Sequence, residues 1–96
     1  MEPSIALQVH RKTIRRIVQL HRASNPRVFG SVLHGADTEE SDLDLLVVPS
    51  RETSLLDIAR IQVELEQQLG VPVDVLTPRA LPERFRDQVL REVRSI

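Results

Sequence analysis

An α/β (α+β) domain, with a small three-stranded mixed sheet flanked by helices, is predicted by three features of the sequence. Apolar residues recur at three- and four-residue spacing in some segments, and short Val- and Leu-rich runs of strand length lie between those segments. Pro and Gly punctuate the transitions, giving the order α-β-α-β-α-β-α with no repeat or low-complexity stretch. The 96 residues suit one compact domain over 1–96, burying roughly 60 to 70 per cent of its unfolded surface.

Ser4 to Ala23 reads as one helix, with Ile14, Ile17, Val18 and His21 on a single stripe and Arg11, Lys12, Arg15, Arg16 and Arg22 around it. Asn25-Pro26 is expected to end it, because the residue before a proline is pushed out of the helical region. Arg27 to Phe29 then leaves room only for a short strand ending at Gly30. Ser31 to Ser41 is small, polar or acidic apart from Val32 and Leu33, and a short helix followed by a loop is expected.

Leu43 to Val48 is predicted as a strand, with Leu43, Leu45 and Val47 on one face and Asp42, Asp44, Leu46 and Val48 on the other, closed by Pro49. Ser54 with Asp57 three residues later resembles a capping box. Ile58, Ile61, Leu65 and Leu69 form the stripe of the helix it opens, and Gly70 with Pro72 stops it. Val71 to Leu76 is a third strand whose only charge is Asp74, and Pro78 breaks it. Pro82 starts a last helix, in which Phe85, Val89, Leu90 and Val93 are expected to face the core. A parallel crossover through the Ser54 to Leu69 helix puts Asp74 in the same sheet as Asp42 and Asp44. The first two strands should run antiparallel, so that Ser31 approaches Asp42.

Composition excludes several classes of function. With 41% hydrophobic and 28% charged residues, the chain is neither disordered nor fibrous. The absence of cysteine removes disulfides and thiolate zinc sites. No basic segment leads into a long apolar run, so neither a signal peptide nor a membrane span is expected, and the protein is expected in the cytoplasm. Two phenylalanines with no tryptophan or tyrosine provide no stacking platform for single-stranded nucleic acid. The net charge of −1 conceals a division: six basic residues against one acid over 1–30, ten acids against two arginines over 31–76, and five arginines against three acids over 77–96. The acidic middle suits cations, and the basic ends suit an anionic ligand or an acidic partner.

That acidic middle contains the chemistry. Carboxylates entering an apolar strand must be paired, hydrogen-bonded or bound to metal, and Asp42 and Asp44, two apart, share a strand face about 7 Å apart. Such a pair can grip hard divalent cations, which take oxygen ligands and keep phosphates as further ones. Asp74 on a neighbouring strand adds a third carboxylate, suited to a metal that activates an attacking hydroxyl and to accepting its proton. Gly30 lets a phosphate approach the backbone, and Ser31 offers a hydroxyl and a helix N-terminus. Metal on one side and a phosphate cradle on the other make a nucleoside triphosphate site. Among the histidines, His10 and His21 read as ordinary helix residues, while His34 lies inside the loop as a loop residue or a phosphate contact.

Phe29-Gly30-Ser31, ten residues, Asp42-x-Asp44 within Ser41 to Val47 (SDLDLLV), and a later Asp74 in an apolar strand together resemble the signature of the DNA polymerase beta-like nucleotidyltransferase superfamily. At this size the chain is similar to its minimal nucleotidyltransferase (MNT) members over nearly its whole length. The resemblance implies a nucleotidyltransferase fold, two Mg²⁺ ions held by Asp42, Asp44 and Asp74, and contact of Gly30 and Ser31 with the triphosphate of ATP. It also implies an antitoxin role, transferring AMP from ATP onto a tyrosine of a HEPN-domain ribonuclease toxin. The chain has no tyrosine, so a tyrosine acceptor must lie on another chain. Many MNT proteins carry basic residues just after the Gly-Ser pair; here Val32-Leu33-His34-Gly35 follows, and added positive charge must come from His34, from elsewhere in the chain or from a partner. Two rivals remain: a non-catalytic antitoxin that neutralises its partner by covering it, and a small-molecule (antibiotic) nucleotidyltransferase, a class that usually has an extra helical domain.

Overall fold

The computed structural model describes all 96 residues. The order is α1 (Pro3–Val9), α2 (Arg11–Leu20), β1 (Ala23–Phe29), β2 (Leu43–Pro49), α3 (Leu55–Leu69), β3 (Val73–Leu76), a single 3-10 turn at Pro78–Ala80, α4 (Glu83–Glu92) and β4 (Arg94–Ser95). The sheet is mixed, as predicted, but has four strands in the order β3-β2-β1-β4. β1 pairs antiparallel with β2 and β2 pairs parallel with β3, both as expected. The added strand, β4, pairs antiparallel with β1 at Arg27 and Val28. Two residues after a helix carry no periodicity, so nothing in the sequence distinguishes β4 from a frayed end.

One face of the sheet carries the core. Leu43, Leu45 and Val47 of β2, Val28 of β1, and Val73 and Val75 of β3 pack with Ala6, Leu7, Ile14, Ile17, Val18, Ile61, Leu65 and Leu69 of the first three helices. On the opposite face, Leu46 and Leu81 are buried outside that cluster, where the Pro78–Ala80 turn approaches β2. No helix is long and apolar enough to cross a membrane.

The expected single N-terminal helix is two helices broken at His10, which ends α1 and begins α2 with non-helical backbone angles. Neither glycine nor proline marks the break, so packing of α1 and α2 on the same core sets it. The chain leaves α2 earlier than expected, at His21 and Arg22, the latter with φ 69°. Asn25-Pro26 therefore does not end the helix. It forms a bulge inside β1, where the register slips between Ser24 and Arg27 and Asn25 has φ 49°. Proline is tolerated there because a bulge needs no ladder N–H, and the Pro26 carbonyl accepts the Ile96 N–H at 3.1 Å.

The helix expected after Ser31 is a run of turns, closed by His34 N–H to Gly30 O at 3.3 Å and Ala36 N–H to Ser31 O at 2.9 Å. The capping box is present: Ser54 Oγ accepts the Asp57 N–H at 3.1 Å and Asp57 Oδ2 accepts the Ser54 N–H at 2.9 Å. Gly70 closes α3 in the left-handed region with φ 73°. The third strand is shorter than expected, beginning at Val73.

The apolar face of α4 is not core. None of its residues is buried, and Phe85 is 50% exposed. Polar links hold the helix instead: Arg86 donates to the carbonyls of Pro78, Arg79 and Leu81. These satisfy the 3-10 turn without placing the helix on the sheet.

Candidate active site

β1 ends where β2 and β3 begin, and the predicted site residues collect at that seam. Asp44 stands opposite Phe29 of β1 in the antiparallel register and opposite Asp74 of β3 in the parallel one. The parallel crossover through α3 therefore brings a residue thirty positions away to the neighbour of Asp44. Asp42, just before β2, is exposed, as is Asp74, while Asp44 is half-buried. Burial pushes the Asp44 carboxyl up to about 6, and the charges of Asp74 and then Asp42 push in the same direction. None of the three aspartates joins any of the ion pairs, which link His21 to Glu64, Arg22 to Asp57 and His34 to Glu92.

Gly30 is required for two separate reasons. Its φ is 75°, and a Cβ built there would overlap Asp44 Oδ2. The backbone thus passes directly against the carboxylate, with half-buried Ser31 as the next residue. Gly30 and Ser31 are brought to Asp44, but Ser31 opens a single turn, not the helix expected to present its N-terminus.

Three sets of contacts fix the carboxylates. Thr38 and Ser41 close a tight turn before Asp42, with Ser41 Oγ accepting the Thr38 N–H at 2.9 Å and Thr38 O accepting the Ser41 N–H at 3.1 Å. On β3, the N–H groups of Val73 and Val75, which flank Asp74, donate to Glu66 Oε2 at 3.0 Å and Gln62 Oε1 at 3.1 Å on α3. These bonds also occupy the open edge of the sheet, which would otherwise present free donors to another strand.

The third contact is invisible to sequence reading. Asp37 Oδ2 accepts the Ser4 N–H at 2.9 Å, so the loop caps the N-terminus of α1 from 33 residues away. That backbone hydrogen bond holds the Asp37 carboxyl below its usual range. No local capping pattern could reveal it. His34 is engaged too, its Nε2 lying 3.2 Å from Glu92 Oε2 at the end of α4, and His21 pairs with Glu64 at 2.9 Å. Glu92 attracts no notice in the sequence, since its partner is 58 residues away.

An all-oxygen donor set, neighbouring charges that raise the proton affinity of Asp44 and a glycine backbone bare of Cβ fit hard divalent cations shared with phosphate. The carboxylates do not close into a ready three-ligand metal group on their own.

Comparison with known proteins agrees with this geometry. Residues 12–96 match the family model described as "Polymerase beta, Nucleotidyltransferase". A Methanocaldococcus jannaschii protein named as a candidate protein adenylyltransferase is 36% identical over 85 residues, covering 88% of this chain and 90% of the relative. A solved structure described as a candidate minimal nucleotidyltransferase superposes with a TM-score of 0.86 at 43% identity, over 100% of this chain and 97% of the other. A chain of the Shewanella oneidensis complex between a tri-AMPylated HEPN toxin and an MNT antitoxin gives a TM-score of 0.68 at 17% identity, over 92% of this chain and 69% of that one, and so shares the fold. With the family model matched over most of its length and Gly30, Ser31, Asp42, Asp44 and Asp74 gathered at one seam, the chain belongs to the polymerase beta-like nucleotidyltransferase family.

Proposed function

We propose that this nucleotidyltransferase is an ATP- and Mg²⁺-dependent protein adenylyltransferase that acts in the cytoplasm as the antitoxin of a HEPN ribonuclease, transferring AMP to a tyrosine of that partner. The observation that carries it is the Asp44–Asp74 register pair beside Gly30, in a sequence without tyrosine. The names of the M. jannaschii relative and of the S. oneidensis complex support protein AMPylation and a HEPN partner respectively.

In this role Asp42, Asp44 and Asp74 would hold two magnesium ions, which would supply positive charge for the attacking and leaving oxygens. Gly30 and Ser31 seat the triphosphate. The phenol oxygen forms a bond to the α-phosphorus as the bond from that phosphorus to the pyrophosphate oxygen breaks. Asp74 accepts the phenolic proton at a carboxylate oxygen, and pyrophosphate leaves.

Incubation with ATP, Mg²⁺ and the partner is expected to raise the partner's mass by whole AMP units, with the adduct on tyrosine. Asp44→Asn is expected to abolish transfer while the domain stays folded. No adduct under any of the four nucleoside triphosphates, or full transfer by Asp44→Asn, would refute the assignment.

A further inference from the structure

The Gly30–Ser31 turn has acids on one side and unengaged cations on the other. Gly30 abuts Asp44, and its carbonyl accepts the His34 N–H at 3.3 Å, so His34 sits one turn beyond the glycine. Here the loop meets the C-terminal segment around a cavity of about 340 Å³ lined by Leu33, His34, Arg91, Glu92, Val93 and Arg94. Its one carboxylate is already occupied: Gln88 Nε2 donates to Glu92 Oε1 at 3.2 Å, and His34 Nε2 lies 3.2 Å from Oε2.

Arg91 and Arg94 enter no ion pair and no side-chain hydrogen bond, which sets them apart from several other arginines. Arg22 pairs with Asp57, Arg86 donates to three carbonyls, Arg84 lies over the Phe85 ring, and Arg11 and Arg27 donate to nearby oxygens. Two free guanidiniums on the walls of one cavity match the geometry of phosphate oxygens, which guanidinium forks bind in pairs.

We infer that this cavity receives the polyphosphate tail of the nucleotide, with Arg91 and Arg94 supplying the positive charge missing from the residues after Ser31. The inference rests on the proposed use of a nucleoside triphosphate and names where its β- and γ-phosphates go. It orders the groups along the loop, with the carboxylates beside Gly30 for the reacting phosphate and, one turn on at His34, the arginines for the tail and for the departing pyrophosphate. It also gives α4 and β4 a purpose that burial does not, since α4 contributes nothing to the core and delivers one arginine while β4 delivers the other.

Calorimetric titration of the whole protein with Mg-ATP, Mg-AMP and inorganic tripolyphosphate tests this. Arg91→Gln/Arg94→Gln is expected to weaken ATP and tripolyphosphate by about tenfold or more, as loss of charge-assisted bonds implies. AMP, which lacks the tail, should change less than about twofold under the same principle. Arg84→Gln, which removes a positive charge from α4 outside the cavity, should leave all three ligands unaffected, and circular dichroism should report an unchanged fold in each variant. If the double variant bound ATP as tightly as the parent, the inference would fall while nucleotide use stood. A parent protein that binds no ATP, with or without the partner, would overturn both.

Discussion

Replacing Asp44 with asparagine should stabilise the metal-free protein, and should do so only above a defined pH. The folded state holds this carboxyl at about 6, against a model value of 3.8. The folded value is raised, so the group's stabilising contribution is complete below pH 3.8 and is lost as pH rises through 6. At 1.36 kcal/mol per pKa unit the full penalty is about 3 kcal/mol. Asp44 is about half exposed, and solvent screening reduces the figure to roughly 1 to 1.5 kcal/mol. Asparagine preserves the shape and removes the charge. Thermal melts of both proteins in EDTA, from pH 3.5 to 8, are expected to coincide at the acid end and diverge across the pH 4 to 6 window. By pH 7.5 the variant should melt higher by about 4 to 12 °C, at about 4 to 8 °C per kcal/mol for a domain of this size. Other titrating groups are common to both proteins and cancel in the difference. Saturating Mg²⁺ should reverse the order, because it binds the parent's folded state and not the variant's. A gap independent of pH, or a variant less stable than the parent at pH 7.5 without metal, would show that Asp44 is not electrostatically strained.

Gly30 and Gly35 share the left-handed backbone, with φ 75° and 68°, but a Cβ at Gly35 meets nothing within 4 Å. Each alanine substitution should therefore cost about 1 to 2 kcal/mol in urea melts. Gly30→Ala alone should also displace Asp44 and lower transfer by about 100-fold, the usual penalty for a misplacement near 1 Å; equal activities for the two variants would remove the close-approach argument. Ser54→Ala should cost about 1 kcal/mol by removing the N-cap of α3, read as a drop of roughly 4 to 8 °C in Tm; an unchanged melting point would contradict the capping box. Asp37→Asn should speed hydrogen exchange at Ser4 and lower Tm slightly at pH 7. The Asp37 carboxyl is held below its usual value, so its contribution exists above about pH 4 and fades as pH falls further. The difference from the parent should accordingly shrink as pH falls below about 4, and a difference independent of pH would argue against a charged cap.

What is legible in the sequence divides by distance along the chain. The α3 helix reads cleanly because its cap, stripe and stop lie within 17 residues, from Ser54 to Gly70. The β2 strand and the pairing directions read for a similar reason, being fixed by short apolar runs and one helical crossover. The site aspartates read because the register that unites Asp44 with Asp74 follows from that crossover. His10 gives no sign that the first helix breaks, and Asn25-Pro26 reads as a helix stop although it forms a bulge inside β1. Phe85, Val89 and Leu90 have the spacing of a buried face. Periodicity reports that a helix has an apolar side, not that a core is available to receive it.

The loop from Gly30 to Asp42 shows why this division matters for function. Its chemistry is local: glycine, serine and the first aspartate arrive within 13 residues. Its position is not, because Asp37 is tied to α1 across 33 residues, His34 to α4 across 58, and Gly30 to the carboxylate of a separate strand. Each tether joins the loop to a different element, so the segment proposed to meet phosphate is braced from the N-terminal helix, the central strand and the C-terminal helix at once. Substitutions at Ser4's helix end or at Glu92 touch none of Asp42, Asp44 and Asp74, yet both are expected to shift the loop backbone proposed to meet phosphate. Sequence motifs therefore single out the residues that the fold gathers at this seam while leaving unseen the long-range contacts that hold the loop in place.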